Sequence, residues 1–440
     1  MAGSQKKRTA TRREVGDRVT TDITALTYGG RGIGRVEGKV IFVPNTAPGD
    51  RVDVAVVEEK EGYIEGIVEE VVTPSPRRAE PFCPLFGQCG GCQWQHIAYS
   101  DQVEWKERIF RETLERIGGI APLPLEKTIP AEMSGAYRTR AQFHVKEGRW
   151  GFFSARSNDI VPLEECPLLD PLLNKVFTAI RDVFAEEAPD FPLHTVEVGM
   201  SPEDNKAVAL LHSGKSGKLD LERLMERVGD LKGVELFITP KRRRGGTKVA
   251  SAGDCYLSYR VSGLFMRSHL SAFSQVNFGQ NERLVETVLD FADPRESDSV
   301  VDLFAGAGNL TLPLARRCAE VTAIEQSRVA VEDGRINAKA KDMSTVTFRR
   351  ADAADGAKSL DKGASDIVVL DPPRGGALRV AREIVEVAPE KIVYLSCNPA
   401  TLARDLAFLV RHGYNVTRAV TIDMFPHTYH IEGVVKLTHV

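Results

Sequence analysis

Ser299-Val300-Val301-Asp302-Leu303-Phe304-Ala305-Gly306-Ala307-Gly308-Asn309 decides the fold of the C-terminal part of this chain. The apolar, β-branched start reads as a buried strand. The glycines read as a turn at which backbone can approach a ligand closely before a helix begins. From about residue 274 onward, helix and strand alternate around this segment. A helix over 274–291 leads into it. Val321-Thr322-Ala323-Ile324-Glu325, Val346-Thr347-Phe348, Asp366-Ile367-Val368-Val369-Leu370 and Lys391-Ile392-Val393-Tyr394-Leu395 are four further strands. Helices are expected over 327–341, 377–387 and 400–412, and two late strands near 416–423 and 430–438. This alternation predicts a doubly wound, mostly parallel α/β sheet, in which ligands bind at the carboxyl ends of the strands.

The preceding sequence has a different texture. Residues 14–72 hold short strand-like runs such as Val40-Ile41-Phe42-Val43 and Ile64-Glu65-Gly66-Ile67-Val68, separated by Gly-rich turns. That spacing predicts a five-stranded barrel of the oligonucleotide-binding (OB) kind. Thr73-Pro74-Ser75-Pro76 is a linker, and a Cys-rich stretch follows at 83–92. A helix is expected over 101–117, a strand meander over 137–163 and a helix over 168–186. The organisation that results is a basic tail (1–13), a barrel (14–72), a mixed α+β central domain (73–270) and a Rossmann-like catalytic domain (271–440).

The chain has 440 residues with a net charge of -3, so it is not a polycation. Basic residues are local: Lys6, Lys7, Arg8, Arg12 and Arg13 form one cluster, and Lys241, Arg242, Arg243, Arg244 and Lys248 another. Either is a solvated loop or a phosphate contact. The barrel segment carries more acids than bases, so any RNA contact there uses one face. No apolar run approaches the roughly 20 residues needed to cross a bilayer, and the basic N-terminus has no apolar stretch behind it. A cytoplasmic protein without a membrane contact is expected, and no feature calls for an obligate protein partner. The cysteines number seven, so disulfides are not expected.

Chemistry-bearing residues recur at the expected strand ends. Asp302 precedes the glycines, where a carboxylate can pair with an ammonium. Glu325 ends the second strand, where a carboxylate commonly accepts from ribose hydroxyls. Asp352 follows the third strand, near an adenine amino group, and Asp371-Pro372-Pro373-Arg374 ends the fourth. This order favours S-adenosylmethionine over a dinucleotide, whose third glycine is replaced here by Thr311. The plainer reading is that Asp302 and Glu325 are local cap residues. Adenine amino-methyltransferases follow Asp-Pro-Pro with an aromatic residue; Arg374 stands there instead. Leu395-Ser396-Cys397-Asn398-Pro399 puts Cys397 at the end of the fifth strand. A thiolate there activates carbon 5 of a uracil by adding to carbon 6. A base must then remove the proton from carbon 5. Glu432 is the candidate for that role and His430 its rival. Cys83, Cys89, Cys92 and the remote Cys166 make a four-cysteine set whose spacing suits zinc and iron–sulfur equally.

With these motifs in hand, the chain resembles a bacterial RNA uridine-5-methyltransferase. The likeness is to the subgroup with an N-terminal TRAM barrel and an iron–sulfur cluster, and it spans about residues 14–438. Its carriers are the four cysteines, Phe273-Ser274-Gln275-Val276-Asn277, the Asp302–Asn309 loop, Asp371-Pro372-Pro373-Arg374, Ser396-Cys397-Asn398-Pro399 and His430-Ile431-Glu432. The resemblance implies that Gln275, Phe304, Asn309, Glu325, Asp352 and Asp371 contact S-adenosylmethionine. It implies Cys397 as nucleophile, Glu432 as proton acceptor, and Cys83, Cys89, Cys92 and Cys166 as ligands of a 4Fe-4S cluster. It further implies RNA as substrate, 23S ribosomal RNA first and tRNA as the alternative. A non-catalytic RNA-binding iron–sulfur protein is the reading from another class, disfavoured because Cys397 and Glu432 are both present.

Overall fold

The computed structural model describes residues 13–187, 191–215, 217, 219–239 and 246–440. The chain clusters into two compact units. The first takes residues up to Gly87 with 92–105 and 427–429; the second takes 88–91, 106–426 and 430–440.

In the first unit, β1 (Arg18–Asp22), β2 (Ala25–Leu26), β3 (Gly32–Val36), β4 (Lys39–Val43), β5 (Arg51–Glu59) and β6 (Tyr63–Thr73) form one sheet in the order β1-β5-β6-β4-β3-β2. Alternation explains its core: Val52, Val54 and Val56 of β5 point inward with Ile23, Ile41, Val43 and Ile64. Thr21 of β1 and Arg35 of β3 exchange hydrogen bonds at 3.0 and 3.2 Å, drawing together strands that are not sheet neighbours, as a barrel requires. The strand count is six among the described residues rather than the expected five. The first run is broken because Ile23 N donates to Asp50 O while Thr24 N donates to Ile33 O, so the chain changes partner between β1 and β2. Of the two basic clusters, Lys6, Lys7, Arg8, Arg12 and Lys241, Arg242, Arg243, Arg244 lie outside the described residues. Arg13 and Lys248 are committed to carboxylates, Glu37 at 2.7 Å and Glu235 at 2.9 Å.

The helix α1 (Tyr99–Gly118) contributes to both units. The second unit then builds a mixed sheet from β7 (Arg140–Lys146), β8 (Arg149–Phe153), β9 (Ile160–Pro162), α2 (Pro171–Glu187), β10 (Leu193–Ser201), β11 (Lys206–Ser213), α3 (Leu221–Val228), β12 (Leu231–Ile238) and β13 (Thr247–Gly253). Its order is β13-β12-β11-β10-β7-β8-β9. The ring of Phe143 stacks on Phe177 of α2 at 3.9 Å, which seats that helix on the sheet. A hairpin, β14 (Tyr256–Val261) and β15 (Leu264–His269), leads to the α/β region.

That region runs α4 (Phe278–Ala292), β16 (Ser299–Leu303), α5 (Thr311–Ala315), β17 (Glu320–Glu325), α6 (Arg328–Lys339), β18 (Val346–Arg350), α7 (Ala353–Lys358), β19 (Ile367–Leu370), α8 (Leu378–Val387), β20 (Lys391–Ser396), α9 (Pro399–Arg411), β21 (Tyr414–Ile422) and β22 (Glu432–His439). The strand order is β18-β17-β16-β19-β20-β22-β21. The first five are parallel, and β22 is antiparallel to both its neighbours. Every residue of β19 and β20 is buried, which is why Ile367–Leu370 and Ile392–Leu395 are continuous apolar runs rather than alternations. The helix expected from 274 starts at Phe278, because Asn277 caps it by accepting from Gln280 N at 3.2 Å. Among the described residues no helix is long and apolar enough to cross a membrane.

A Cβ at Gly433 would lie 2.3 Å from the ring of Phe110, which is fully buried. Gly433→Ala should therefore force β22 away from α1 and cost about 1–3 kcal/mol of stability. A melting temperature equal to that of the parent chain would show that the ring yields freely.

Candidate active site

The five parallel strands end at one edge of the sheet, and the antiparallel β22 begins there. Register brings the reactive pair together. Ser396 of β20 is paired with Gly433 of β22, so the next residue along β20, Cys397, stands beside Glu432. On its other side Glu432 is paired with Ile422 of β21. The sequence places these side chains on separate elements, and only the antiparallel return of the chain joins them.

A cleft with about 440 Å³ of space free of protein atoms opens at the same edge. Gln275, Phe304, Asn309, Asp302 and Asp371 line it, as do Tyr259 and Leu310, which sequence reasoning missed. Phe304 is held in the left-handed region at φ 65°, its N–H donating to Ile324 O at 3.0 Å. Such strain is characteristic of functional turns. Gly308 has φ 97°, and a Cβ there would sit 3.1 Å from Phe348. Thr311, at the place of the missing third glycine, donates through Oγ1 to Asp302 Oδ2 at 2.5 Å. The other oxygen, Asp302 Oδ1, is buried with no hydrogen-bond partner. An orphaned carboxylate oxygen in the wall of an open cleft fits a cationic ligand group.

Two expected contacts have local work instead. Glu325 accepts from Gly306 N at 3.2 Å and from Ser327 N at 2.6 Å, bracing the glycine turn. Asp352 caps α7, accepting from Ala354 N and Asp355 N. Both stand at or just beyond strand ends, outside the cleft lining. Asn309 exchanges amide hydrogen bonds with Asn281 at 2.9 and 2.8 Å. Asn281 carries no recognisable motif and could not be found from sequence.

Burial sets the charges. It pushes Asp302 up to about 7 and Asp371 up to about 6, and it raises Glu432 well above the usual carboxylate range, with the Asp371 charge adding to the effect. Burial also lifts the Cys397 thiol to about 11; the neighbouring Glu432 and Asp371 charges add to this, while Arg374 opposes it. His430 is driven down to about 3 by burial and by the charges of Arg374, Lys106 and Arg138, and its Nε2 lies 3.4 Å from the Arg374 guanidinium. A neutral imidazole held beside a guanidinium is a poor proton acceptor, which favours Glu432 over His430 as base. The edge thus holds a thiol and carboxyl groups that resist ionisation together.

The four cysteines of the expected cluster are each half-buried. Cys83 and Cys92 belong to the first unit, Cys89 and Cys166 to the second. The N–H of Gly91 points at Cys89 Sγ at 3.4 Å, and the Asn174 side chain brackets the Cys166 backbone at 2.9 and 3.0 Å. Among the described residues no group of three or more His, Cys, Asp or Glu side chains is gathered as a metal site.

Against known proteins, residues 125–440 match the family described as tRNA (uracil-5-)-methyltransferase, and residues 12–68 match the TRAM domain. A 23S rRNA (uracil(1939)-C(5))-methyltransferase of Salmonella typhi is 36% identical over 98% of this chain and 97% of its own. The enzyme of the same description from Aeromonas hydrophila is 34% identical over 94% and 95%. An uncharacterised RNA methyltransferase of Synechocystis is 35% identical, covering 96% of each chain. Among solved structures, the Pyrococcus abyssi tRNA (uracil-54, C5)-methyltransferase in complex with S-adenosyl-L-homocysteine has the same fold, with a TM-score of 0.76 over 95% of this chain and all of its own at 24% identity.

The raised carboxyls give a signed prediction. Asp302 keeps its proton in the folded chain at pH values where the unfolded chain, near 3.8, has lost it. The stability this supplies is full below the unfolded value and is lost as pH rises through about 7. Melting curves of the unliganded protein and of Asp302→Asn, compared across that range, should show the parent losing ground steadily to the variant as pH rises. A difference independent of pH would mean that Asp302 is ionised in the folded chain throughout.

Proposed function

This chain belongs to the tRNA (uracil-5-)-methyltransferase family and carries a TRAM domain, and from that premise we propose that it methylates carbon 5 of a specific uridine in 23S ribosomal RNA. The observation that carries the reading is the β20–β22 register, which sets Cys397 beside Glu432, with Asp371 of the cleft lining near enough for its charge to act on both. Support for ribosomal RNA over tRNA comes from relatives named for 23S RNA that match almost end to end.

S-adenosylmethionine, when bound, supplies an activated methyl on a positively charged sulfur. Asp302 would offer a carboxylate to the donor's ammonium and Asp371 one to its sulfonium, and Gln275, Phe304 and Asn309 form the walls, with Glu325 and Asp352 beyond them at neighbouring strand ends. The target uridine leaves its stack and enters beside Cys397. Cys397 Sγ, its proton gone to solvent, bonds to carbon 6, and the electrons of the 5,6 double bond move to carbon 5; the bound donor would supply the methyl group that carbon 5 takes, its sulfur–methyl bond breaking to leave a neutral thioether. Glu432 then accepts the proton from carbon 5, the double bond re-forms and the sulfur–carbon bond breaks. Burial makes Glu432 a stronger base when it is ionised, and the Arg374 charge favours that ionised form. The barrel and central segments, 14–72 and 73–270, hold flanking RNA.

Cys83, Cys89, Cys92 and Cys166 are the ligands of a 4Fe-4S cluster in this reading. Four thiols and a Gly91 N–H directed at a sulfur support a metal centre of zinc or iron–sulfur alike, and the resemblance carried by these cysteines favours iron–sulfur.

Two experiments test the reading. The first offers 5-fluorouridine-substituted 23S rRNA and tRNA in competition, with labelled S-adenosylmethionine. Fluorine cannot leave as a proton, so a covalent adduct should persist on a denaturing gel with 23S rRNA and vanish in Cys397→Ala, which still binds cofactor. Glu432→Gln should accumulate adduct on ordinary RNA. An adduct with tRNA alone would move the substrate; none with either RNA would remove Cys397 as nucleophile. The second measures iron and acid-labile sulfide in protein isolated without oxygen. Both should be present and fall sharply in Cys83→Ser and Cys166→Ser. Zinc in their place, or no metal at all, would overturn the cluster.

A further inference from the structure

Four consecutive backbone carbonyls, from Asp423 to Pro426, each accept a hydrogen bond from a distant side chain. Gln280 Nε2 donates to Asp423 O at 3.1 Å and Asn277 Nδ2 to Met424 O at 3.2 Å. Lys106 Nζ donates to Phe425 O at 2.9 Å and Tyr137 Oη to Pro426 O at 3.1 Å. All four donors are at most 5% exposed. A loop needs no such investment to stay folded; buried donors aimed at successive carbonyls fix a backbone in place. This segment begins immediately after Ile422, the sheet partner of Glu432.

The two donors nearest Glu432 come from one helix. Asn277 is the N-cap of α4, and Gln280 and Asn281 stand in its first turn, so the three amides gather at the start of the helix. The third of them, Asn281, is the residue that exchanges hydrogen bonds with Asn309 of the cofactor cleft. One row of buried amides therefore ties the glycine turn on one side and the end of β21 on the other. We propose that Asn277, Gln280 and Asn281 are positioning residues that hold Glu432 and the methyl-donor cleft at a fixed separation. This rests on the reading of Glu432 as the proton acceptor. The chemistry needs such a strut: the base must reach carbon 5 only after the methyl group has arrived from the opposite side, and a small displacement of either partner is costly. An amide suits the task because it donates to a carbonyl without bringing a charge to an edge already crowded with carboxyls.

The test separates adduct formation from adduct resolution. Asn277→Asp keeps the oxygen that caps α4 and loses the N–H that holds Met424; Gln280→Met keeps volume and loses its donor. In both, adduct formation on 5-fluorouridine RNA should stay close to the parent rate. With ordinary RNA, release of methylated product should slow by about tenfold, the equivalent of one lost hydrogen bond, so that methylated protein–RNA adduct builds up. Asn281→Leu should instead weaken S-adenosylhomocysteine binding by about tenfold in calorimetry without RNA. Melting temperatures identify any variant that fails to fold, and the two loop-side variants stand in for each other. Release at the parent rate in the folded loop-side variants, with Glu432→Gln blocked in parallel, would overturn the strut. Release at the parent rate in Glu432→Gln itself would overturn the base assignment, and with it the purpose given to the amides.

Discussion

The antiparallel pairing of β22 with β20 is the constraint on which the site depends. A purely parallel sheet brings strand ends to one edge but never strand beginnings. By running β22 backwards between β20 and the edge strand β21, the fold delivers the first residue of one strand beside the residue after the last of another. The pairing of Ser396 with Gly433 leaves no freedom in which residues meet. A slip of one residue would turn Glu432 to the other face of the sheet. The close approach of Gly433 to Phe110 and the buried ion pair of Lys106 with Asp423 at 2.6 Å both act to hold that register from the α1 side.

This edge crowds Glu432 and Asp371 around the Cys397 thiol, and the Asp371 charge reaches Asp302 as well. In such surroundings each negative charge raises the cost of the next, so the groups titrate as a set. Arg374 is the cation that opposes this for Cys397 and Glu432. The edge is therefore short of positive charge, and a cationic ligand in the cleft supplies it. Binding of such a ligand and ionisation of the thiol favour each other by linkage. With the cleft empty, burial and the neighbouring carboxylate charges hold the Cys397 thiol up at about 11.

Most of the α/β architecture was legible because its signals are local. Runs such as Ile367–Leu370 and Lys391–Leu395 carry their own burial in their composition. The reactive residues were legible for the same reason, each standing at a strand end. The barrel was counted one strand short because β2 has two residues, and its separation from β1 depends on which distant carbonyl each amide finds. Glu325 and Asp352 are ambiguous in sequence because a carboxylate at a strand end serves equally as cap and as ligand contact, and both accept local N–H groups here. Of the amides at the start of α4, Asn277 stood in sequence only as the end of a motif, and Gln280 and Asn281 were not legible at all. Their partners are a turn and a loop far away in sequence, and nothing in the helix's own pattern distinguishes a buried amide that braces from one that merely fills space.

The acid excess of the barrel finds its physical place in the same terms. Arg18 pairs with Glu69, Arg31 with Glu65, Lys39 with Glu59, Arg51 with Asp22 and Lys60 with Glu58. Most of these pairs lie on the surface, where water and salt already screen the attraction and little is lost when a pair opens. A phosphate group approaching Arg18 or Arg51, both more than half exposed, offers the guanidinium an equivalent set of acceptors and releases condensed counterions besides. The carboxylates so displaced return to water at no great cost. A barrel with balanced or acidic composition can therefore grip RNA by exchange of partners, and its grip is the more selective for it: only a backbone that presents phosphates at the spacing of the arginines repays every pair that must open.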